Sequence, residues 1–279
     1  MNSKQVVKST VLVLERYLGV EWFRDRIWAT RSTLPAAALL FHRVTDKIPE
    51  DGITISTERF RAIIRSVAQH YNPMSLSKLV DHLERGETWP PRTVVITFDD
   101  GYRDNYEFAA PILAEYKVPT TFFLTTDAIG SEHVMPWDER LPRRVPWMDW
   151  YQVRELHAQG FEIGSHTLTH PDLGQLRGPQ ARAEIADSKS KLEDVLGAAA
   201  PHFAFPFGGK KNFCEENREL VRRAGYRSCS SAYGGFITPR SDAFDLQRIG
   251  VNNWVSHPSD LDFEIRIAAP WRWRRITDV

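Results

Sequence analysis

Seven short apolar runs recur along the chain and end in polar residues: Ala37 to Phe41, Thr93 to Phe98, Thr120 to Leu124, Phe161 to Ser165, Phe203 to Phe207, Tyr226 to Ser230 and Leu246 to Val251. Runs of this length without polar alternation are the signature of strands buried on both faces, as in parallel sheets. Between them lie amphipathic stretches with helix signals. Ser75 precedes Leu76 to Glu84, which Gly86 and Pro90-Pro91 close; others run from Thr57 to His70, Tyr106 to Tyr116, Trp150 to Ala158, Pro179 to Leu196 and Glu215 to Ala224, with Gly160 and Gly225 past two of the ends. This alternation predicts one α/β domain, a parallel barrel related to the eight-stranded (β/α) type, with an open sheet as the other solution of the same periodicity. In either, chemistry belongs at the carboxyl ends of the strands.

The polar residues at those ends form a pattern. His42 follows Leu39-Leu40-Phe41, Asp99-Asp100 follow the run to Phe98, and His166 follows Glu162 to Ser165, with His170 four positions on. On a helical turn residues i and i+4 share a face, so both imidazoles can reach one metal ion. Two His and one Asp make a ligand set that leaves positions open for water and substrate. A turn or helix cap at Asp99-Asp100-Gly101 accounts for one aspartate, but poorly for two beside two histidines.

Thr97-Phe98-Asp99-Asp100-Gly101, His166-Thr167-Leu168-Thr169-His170 and Phe205-Pro206-Phe207-Gly208 resemble, in order and approximate spacing, the motifs of the polysaccharide deacetylases, carbohydrate esterase family 4 or NodB homology domain. The resemblance covers about Pro35 to Val251. It implies a distorted (β/α) barrel with about seven parallel strands that removes N- or O-linked acetyl groups from sugars with a divalent metal, usually Zn2+. By position, it makes Asp99 the general base and Asp100, His166 and His170 the metal ligands. The residue types suit that chemistry: an amide needs its carbonyl polarised and its attacking water deprotonated, and the departing amine needs an acid.

The chain departs from the family pattern twice. Ala204 stands where many members carry an Arg that orients the catalytic aspartate; Arg248 is the candidate replacement, a surface ion pair being its other reading. The acid histidine that many members carry late in the domain has no counterpart around Leu246 to Val251. Phe41-His42-Arg43-Val44 instead resembles the exopolysaccharide-deacetylating branch, which implies that His42 is the acid. The connection Thr126 to Asp149 is long enough to be functional, and its Trp137 and Asp138, with Phe207, are expected to touch the glycan; Trp147 and Trp150 suit core packing equally. His133 in that connection is a solvated histidine or a further ligand.

Composition narrows the rest. Lys+Arg and Asp+Glu number 36 each in 279 residues, so no global charge favours nucleic acid. Cys214 and Cys229 are expected to be free thiols. No phosphate loop, nucleophile elbow or dinucleotide fingerprint is present. The start lacks the features of a signal peptide, so cytoplasmic residence is the expectation. Val6 to Trp28 suits a helix packed on the domain or one lying on a membrane surface, and the tail Trp271 to Arg275 suits packing or an anionic interface. The expected organisation is an amphipathic segment at 1–34, the deacetylase-like domain at 35–255 and a helix with a Trp/Arg tail at 256–279. The functional expectation is a metal-dependent N-deacetylase acting on a polysaccharide or glycolipid, a lipid-linked precursor on the inner membrane face reconciling cytoplasmic residence with an extracellular polymer. An amidohydrolase of small non-sugar amides and a catalytically silent glycan-binding module are the alternatives; the Asp99/Asp100/His166/His170 set argues against the last.

Overall fold

A computed structural model describes residues 35–251. The expected amphipathic segment at 1–34 and the expected helix with its Trp/Arg tail at 256–279 lie outside the described residues.

The elements, in chain order, are β1 (Ala37–Phe41), β2 (Arg43–Val44), β3 (Thr54–Ile55), α1 (Thr57–His70), β4 (Asn72–Pro73), α2 (Leu76–Arg85), β5 (Thr93–Phe98), a π-helical turn (Asn105–Ala109) running into α3 (Ala110–Glu115), β6 (Thr120–Leu124), α4 (Trp150–Ala158), β7 (Glu162–Ser165), α5 (Gly178–Leu196), β8 (His202–Ala204), α6 (Glu215–Arg223), β9 (Ser228–Ser230) and β10 (Arg248–Gly250). The helix limits follow the sequence signals. The Ser75 side chain accepts the Lys78 amide at the start of α2, and Gly86 closes it at φ 63. Asp149 and Gln152 form a reciprocal capping box on α4.

Seven strands pair in parallel in the order β10-β1-β5-β6-β7-β8-β9. Leu246, two residues before β10, bridges back to Ser230 of β9 and nearly closes the ring. This decides between barrel and open sheet. The short β2 and β3 pair separately, and β4 adds to β5; their two-residue length leaves no apolar run to read in sequence.

The period of two along each strand sorts side chains into two compartments. On β5, Val94, Ile96 and Phe98 pack outward with Phe41, Phe60, Ile63 and Phe122 in the main core beneath the helices. Val95 instead joins Ala38, Phe123 and Ala204, a second cluster against Leu76, Leu79, Val80 and Trp89. Phe123 needs the room that Gly164 leaves, since a Cβ there would stand 2.6 Å from its ring. Both cysteines are free thiols, with Cys229 buried.

Candidate active site

Asp99 and Asp100 leave the end of β5 as consecutive residues, which in a regular strand would point to opposite faces. Asp100 takes φ 76, a left-handed conformation that costs a non-glycine residue about 1–3 kcal/mol, and Gly101 follows at φ 97. The turn brings both carboxylates to one cavity. Glycine suits position 101 because φ 97 is a conformation that L side chains rarely adopt.

Arg248 projects from β10 beneath Asp99. Its Nη1 and Nη2 donate to the two carboxylate oxygens of Asp99 at 2.6 and 2.8 Å, its Nε donates to the Ser231 carbonyl at 3.0 Å, and Nη1 reaches Thr97 Oγ1 at 3.2 Å. Arg248 is 0% exposed and Asp99 3%. The lone arginine is therefore a buried bidentate partner of Asp99, not a surface ion pair. Burial pushes the Asp99 carboxyl up, but the charge of Arg248 and the hydrogen bonds it donates hold the carboxyl below its ordinary value.

Asp100, His166 and His170 form a second group whose ligand atoms all lie within 4.8 Å of one another. His166 Nε2 and His170 Nε2 stand 3.5 and 3.3 Å from Asp100 Oδ1. His166 Nδ1 lies 2.8 Å from the Ala204 carbonyl, which can only accept, so the proton sits on Nδ1 and Nε2 presents its lone pair to the cluster. Burial pushes the His166 imidazole down to about 4, keeping it neutral. Asp100 Oδ1 has no hydrogen-bond donor although it is buried. An orphan carboxylate oxygen beside an imidazole lone pair on an orienting carbonyl is the donor set that a divalent cation fits.

The two histidines do not share a helical face, as their spacing suggested. Residues 166–170 form an irregular loop with Thr167 at φ 69 and His170 at φ 63. The loop converges the rings as a helix would, with centroids 4.8 Å apart.

These groups open into a cavity of about 450 Å3, lined further by His42, Arg43, Asp51, Ile53, Trp137 and Phe207. His42 faces it half-buried, while its carbonyl accepts Asn105 Nδ2 at 2.7 Å. Phe207, at φ 60 and 53% exposed, lies edge-on to His170, as does Trp137, at 4.9 Å each. His133 is exposed and stands outside the Asp100 cluster.

Asp138 sits behind the cavity wall instead of on it. One of its oxygens accepts from Arg43 Nη1 and the other from the Tyr102 hydroxyl at 2.7 Å, and Trp137 Nε1 donates to that hydroxyl at 2.9 Å. Arg43, 1% exposed, also donates to Asp51 Oδ2 at 2.8 Å and Thr54 Oγ1 at 2.9 Å. Arg43 thus ties the loop bearing Asp51 to the loop bearing Trp137, a role its isolated place after His42 did not announce. Trp147 is core, stacked on Tyr102 with centroids 4.6 Å apart, and Trp150 packs at the start of α4.

The polysaccharide deacetylase family model matches residues 86–229, half of the chain. His42 and Arg248 fall outside that stretch. YxkH of Bacillus subtilis, named as a polysaccharide deacetylase, is 28% identical over 165 residues, 59% of this chain and 53% of that protein, so the chain aligns with about half the length of that relative. The poly-beta-1,6-N-acetyl-D-glucosamine N-deacetylase of Staphylococcus epidermidis is 25% identical over 244 residues, 78% of this chain and 79% of that protein. Among solved structures, the deacetylase PplD of Streptococcus pyogenes in complex with acetate superposes with a TM-score of 0.73 at 21% identity, covering 84% of this chain and 99% of that one. IcaB from Ammonifex degensii does so with 0.67 at 22%, covering 85% and 96%. At such identities the structural likeness is one of fold, and it extends the barrel over both ends of the matched stretch. With the family model covering half of its length, the chain belongs to the polysaccharide deacetylase family.

Proposed function

We propose that the protein is a metal-dependent N-deacetylase that hydrolyses acetamido groups on an N-acetylated polysaccharide or its lipid-linked form. The observation that carries this reading is the juxtaposition, in one cavity, of an arginine-held carboxylate with an Asp/His/His donor set. Relatives named as poly-beta-1,6-N-acetyl-D-glucosamine N-deacetylases point to that polymer class.

Asp100, His166 and His170 would hold one divalent ion, Zn2+ suiting a nitrogen-rich donor set, and that ion would polarise the acetyl carbonyl and acidify water. Asp99 accepts the proton of the attacking water. Arg248 fixes its orientation and keeps it ionised. The carbon–nitrogen bond then breaks, acetate leaves on one side and the sugar amine on the other, and His42 donates a proton to the amine. Trp137 and Phe207 offer apolar faces to the sugar ring. A cavity of about 450 Å3 with an aromatic rim favours a glycan over a small amide.

The test is acetate release from N-acetylated β-1,6-linked glucosamine oligomers by protein that has been chelated and then reconstituted with Zn2+. Release that requires the ion supports the reading. Turnover of small amides with none of the oligomers would replace it with an amidohydrolase, and metal-independent turnover would remove the role given to Asp100, His166 and His170.

A further inference from the structure

We infer that Glu184 on α5 is the positioning residue for the loop that carries both histidines, so that the donor set is assembled from a helix that contributes no ligand of its own. This rests on the reading of Asp100, His166 and His170 as the metal site.

A four-residue spacing between ligands usually works because a helix fixes it. Here the loop is irregular: Thr167 and His170 both hold left-handed conformations, and the β-branched side chain of Thr167 resists its own. Such a conformation persists only where its surroundings over-determine it. The carbonyls of Thr167 and Leu168 accept from the backbone amides of Thr126 and Asp127 at 3.1 and 2.9 Å, which fixes one side of the loop. The amides of Leu168 and Thr169 face the other way, where no backbone carbonyl among the described residues accepts them. Both donate to Glu184 Oε2 at 3.0 Å, and the Thr169 hydroxyl donates to Oε1 at 2.7 Å. One carboxylate thus takes three donors from two adjacent residues midway between the ligands. Bonds to an ionised acceptor are stronger than neutral ones. Glu184 is half-buried on the face of α5 whose Ala181, Ile185 and Ser188 pack on the barrel, so it is held as firmly as the helix.

Without Glu184, the amides of Leu168 and Thr169 turn to water, and the loop samples conformations in which the two imidazoles diverge. Binding a cation would then carry the cost of ordering it. Loss of a supporting partner of this kind lowers metal affinity by about 10–100-fold.

The experiment measures Zn2+ affinity by chelator competition for the wild type, Glu184→Ala and Glu184→Gln, with the d–d spectrum of the Co2+-loaded proteins and amide exchange at Leu168 and Thr169 as further readouts. Glu184→Ala is expected to bind about 10–100-fold more weakly, with an altered Co2+ spectrum and faster exchange at those two amides. Glu184→Gln should recover most of the affinity, because its carbonyl accepts both amides and its amide group can donate to the threonine oxygen. If Glu184→Ala fails to fold by circular dichroism, Glu184→Asp, which withdraws the oxygens by one methylene, takes its place with the same expected direction. Wild-type affinity and spectrum in a folded Ala or Asp variant overturn the proposal and leave the metal reading standing. Absence of Zn2+ binding in the wild type overturns both.

Discussion

Arg248→Met removes the guanidinium that holds Asp99 and leaves a side chain of similar length. Asp99 is 3% exposed and receives both of its short hydrogen bonds, at 2.6 and 2.8 Å, from this arginine. Removing one partner of a buried ion pair costs about 3–5 kcal/mol, because the other charge is left without compensation. Against a domain stability of about 5–15 kcal/mol, the variant should remain folded with a clear loss. The carboxyl can escape part of the cost by taking a proton. In the wild type its pKa lies below the ordinary carboxylate value, so the stability it contributes is fully present above that value and is lost as pH falls through the folded one. In the variant, burial acts without its main counterweight and the folded pKa rises. The sign then reverses: the variant is penalised most at high pH and recovers as acid neutralises Asp99.

The assay is urea unfolding of chelated wild type and variant at pH 8 and pH 5, together with the pH dependence of acetate release. The gap in unfolding free energy should narrow from pH 8 to pH 5, and the acidic limb of the rate profile should move to higher pH in the variant, since the base must be ionised to accept a proton. Arg248→Lys keeps a charge but not the two-point grip, and should fall between the two. A stability gap independent of pH, with an unmoved acidic limb, would refute the assignment of Arg248 as the group that keeps Asp99 charged.

Three further outcomes are expected. Asp99→Asn should retain bound Zn2+ but lose turnover, whereas Asp100→Asn should weaken the ion itself; equal metal loss in both, by elemental analysis, would contradict the division between base and ligand. His42→Ala should lose roughly 10²-fold in turnover of an acetamido sugar and less on an activated acetate ester, whose leaving group needs little protonation; equal losses would return His42 to a structural role. His202, 0% exposed with each ring nitrogen 2.8 Å from a serine hydroxyl, Ser77 or Ser228, is pushed down to about 4 by burial. Its unfolded form binds a proton below about 6.5 while the buried ring resists one, so stability should fall as pH drops from there toward 4. His202→Gln should therefore flatten the acid side of the stability profile measured by urea midpoints, and an unchanged slope would contradict this.

The strands and most of the donor set were legible because they rest on local signals. An apolar run buried on both faces can hardly be anything but a central strand, and a polar residue at its carboxyl end has one destination in a parallel barrel. Asp99, Asp100, His166 and His42 were read that way, and the structure brings all four to one cavity. The convergence of His170 was also legible, though not its means, since a left-handed Thr167 leaves no trace in a sequence in which the spacing also fits a helix. Arg43, Tyr102 and Glu184 were not legible. Each does its work through bonds to segments far along the chain, and each sits in sequence as an ordinary polar residue of a strand end, a turn or a helix face.

Buried carboxylates in and beside the cavity meet three different fates, and the differences bear on where a cation belongs. Asp99 and Asp138 each have a guanidinium, from Arg248 and Arg43; Asp99, gripped at both oxygens, is held below its ordinary value, whereas at Asp138 burial outweighs its partners and pushes the carboxyl up. Asp104 has neither a guanidinium nor an imidazole bonded to it; it accepts only the Val44 amide and the Asn105 side chain, and burial pushes it up to about 7. Asp100 has the burial of Asp104 and no guanidinium, yet it stays below the ordinary carboxylate value, because His170, 3.3 Å away, and His42 face it. Each of the two has a carboxylate oxygen that no donor of the chain satisfies, but that of Asp100 faces histidines, whereas Asp104 has only an amide and an asparagine for company. Replacing His170 should therefore move Asp100 toward the behaviour of Asp104. For that reason the two histidines and the aspartate are expected to gain or lose a bound ion together.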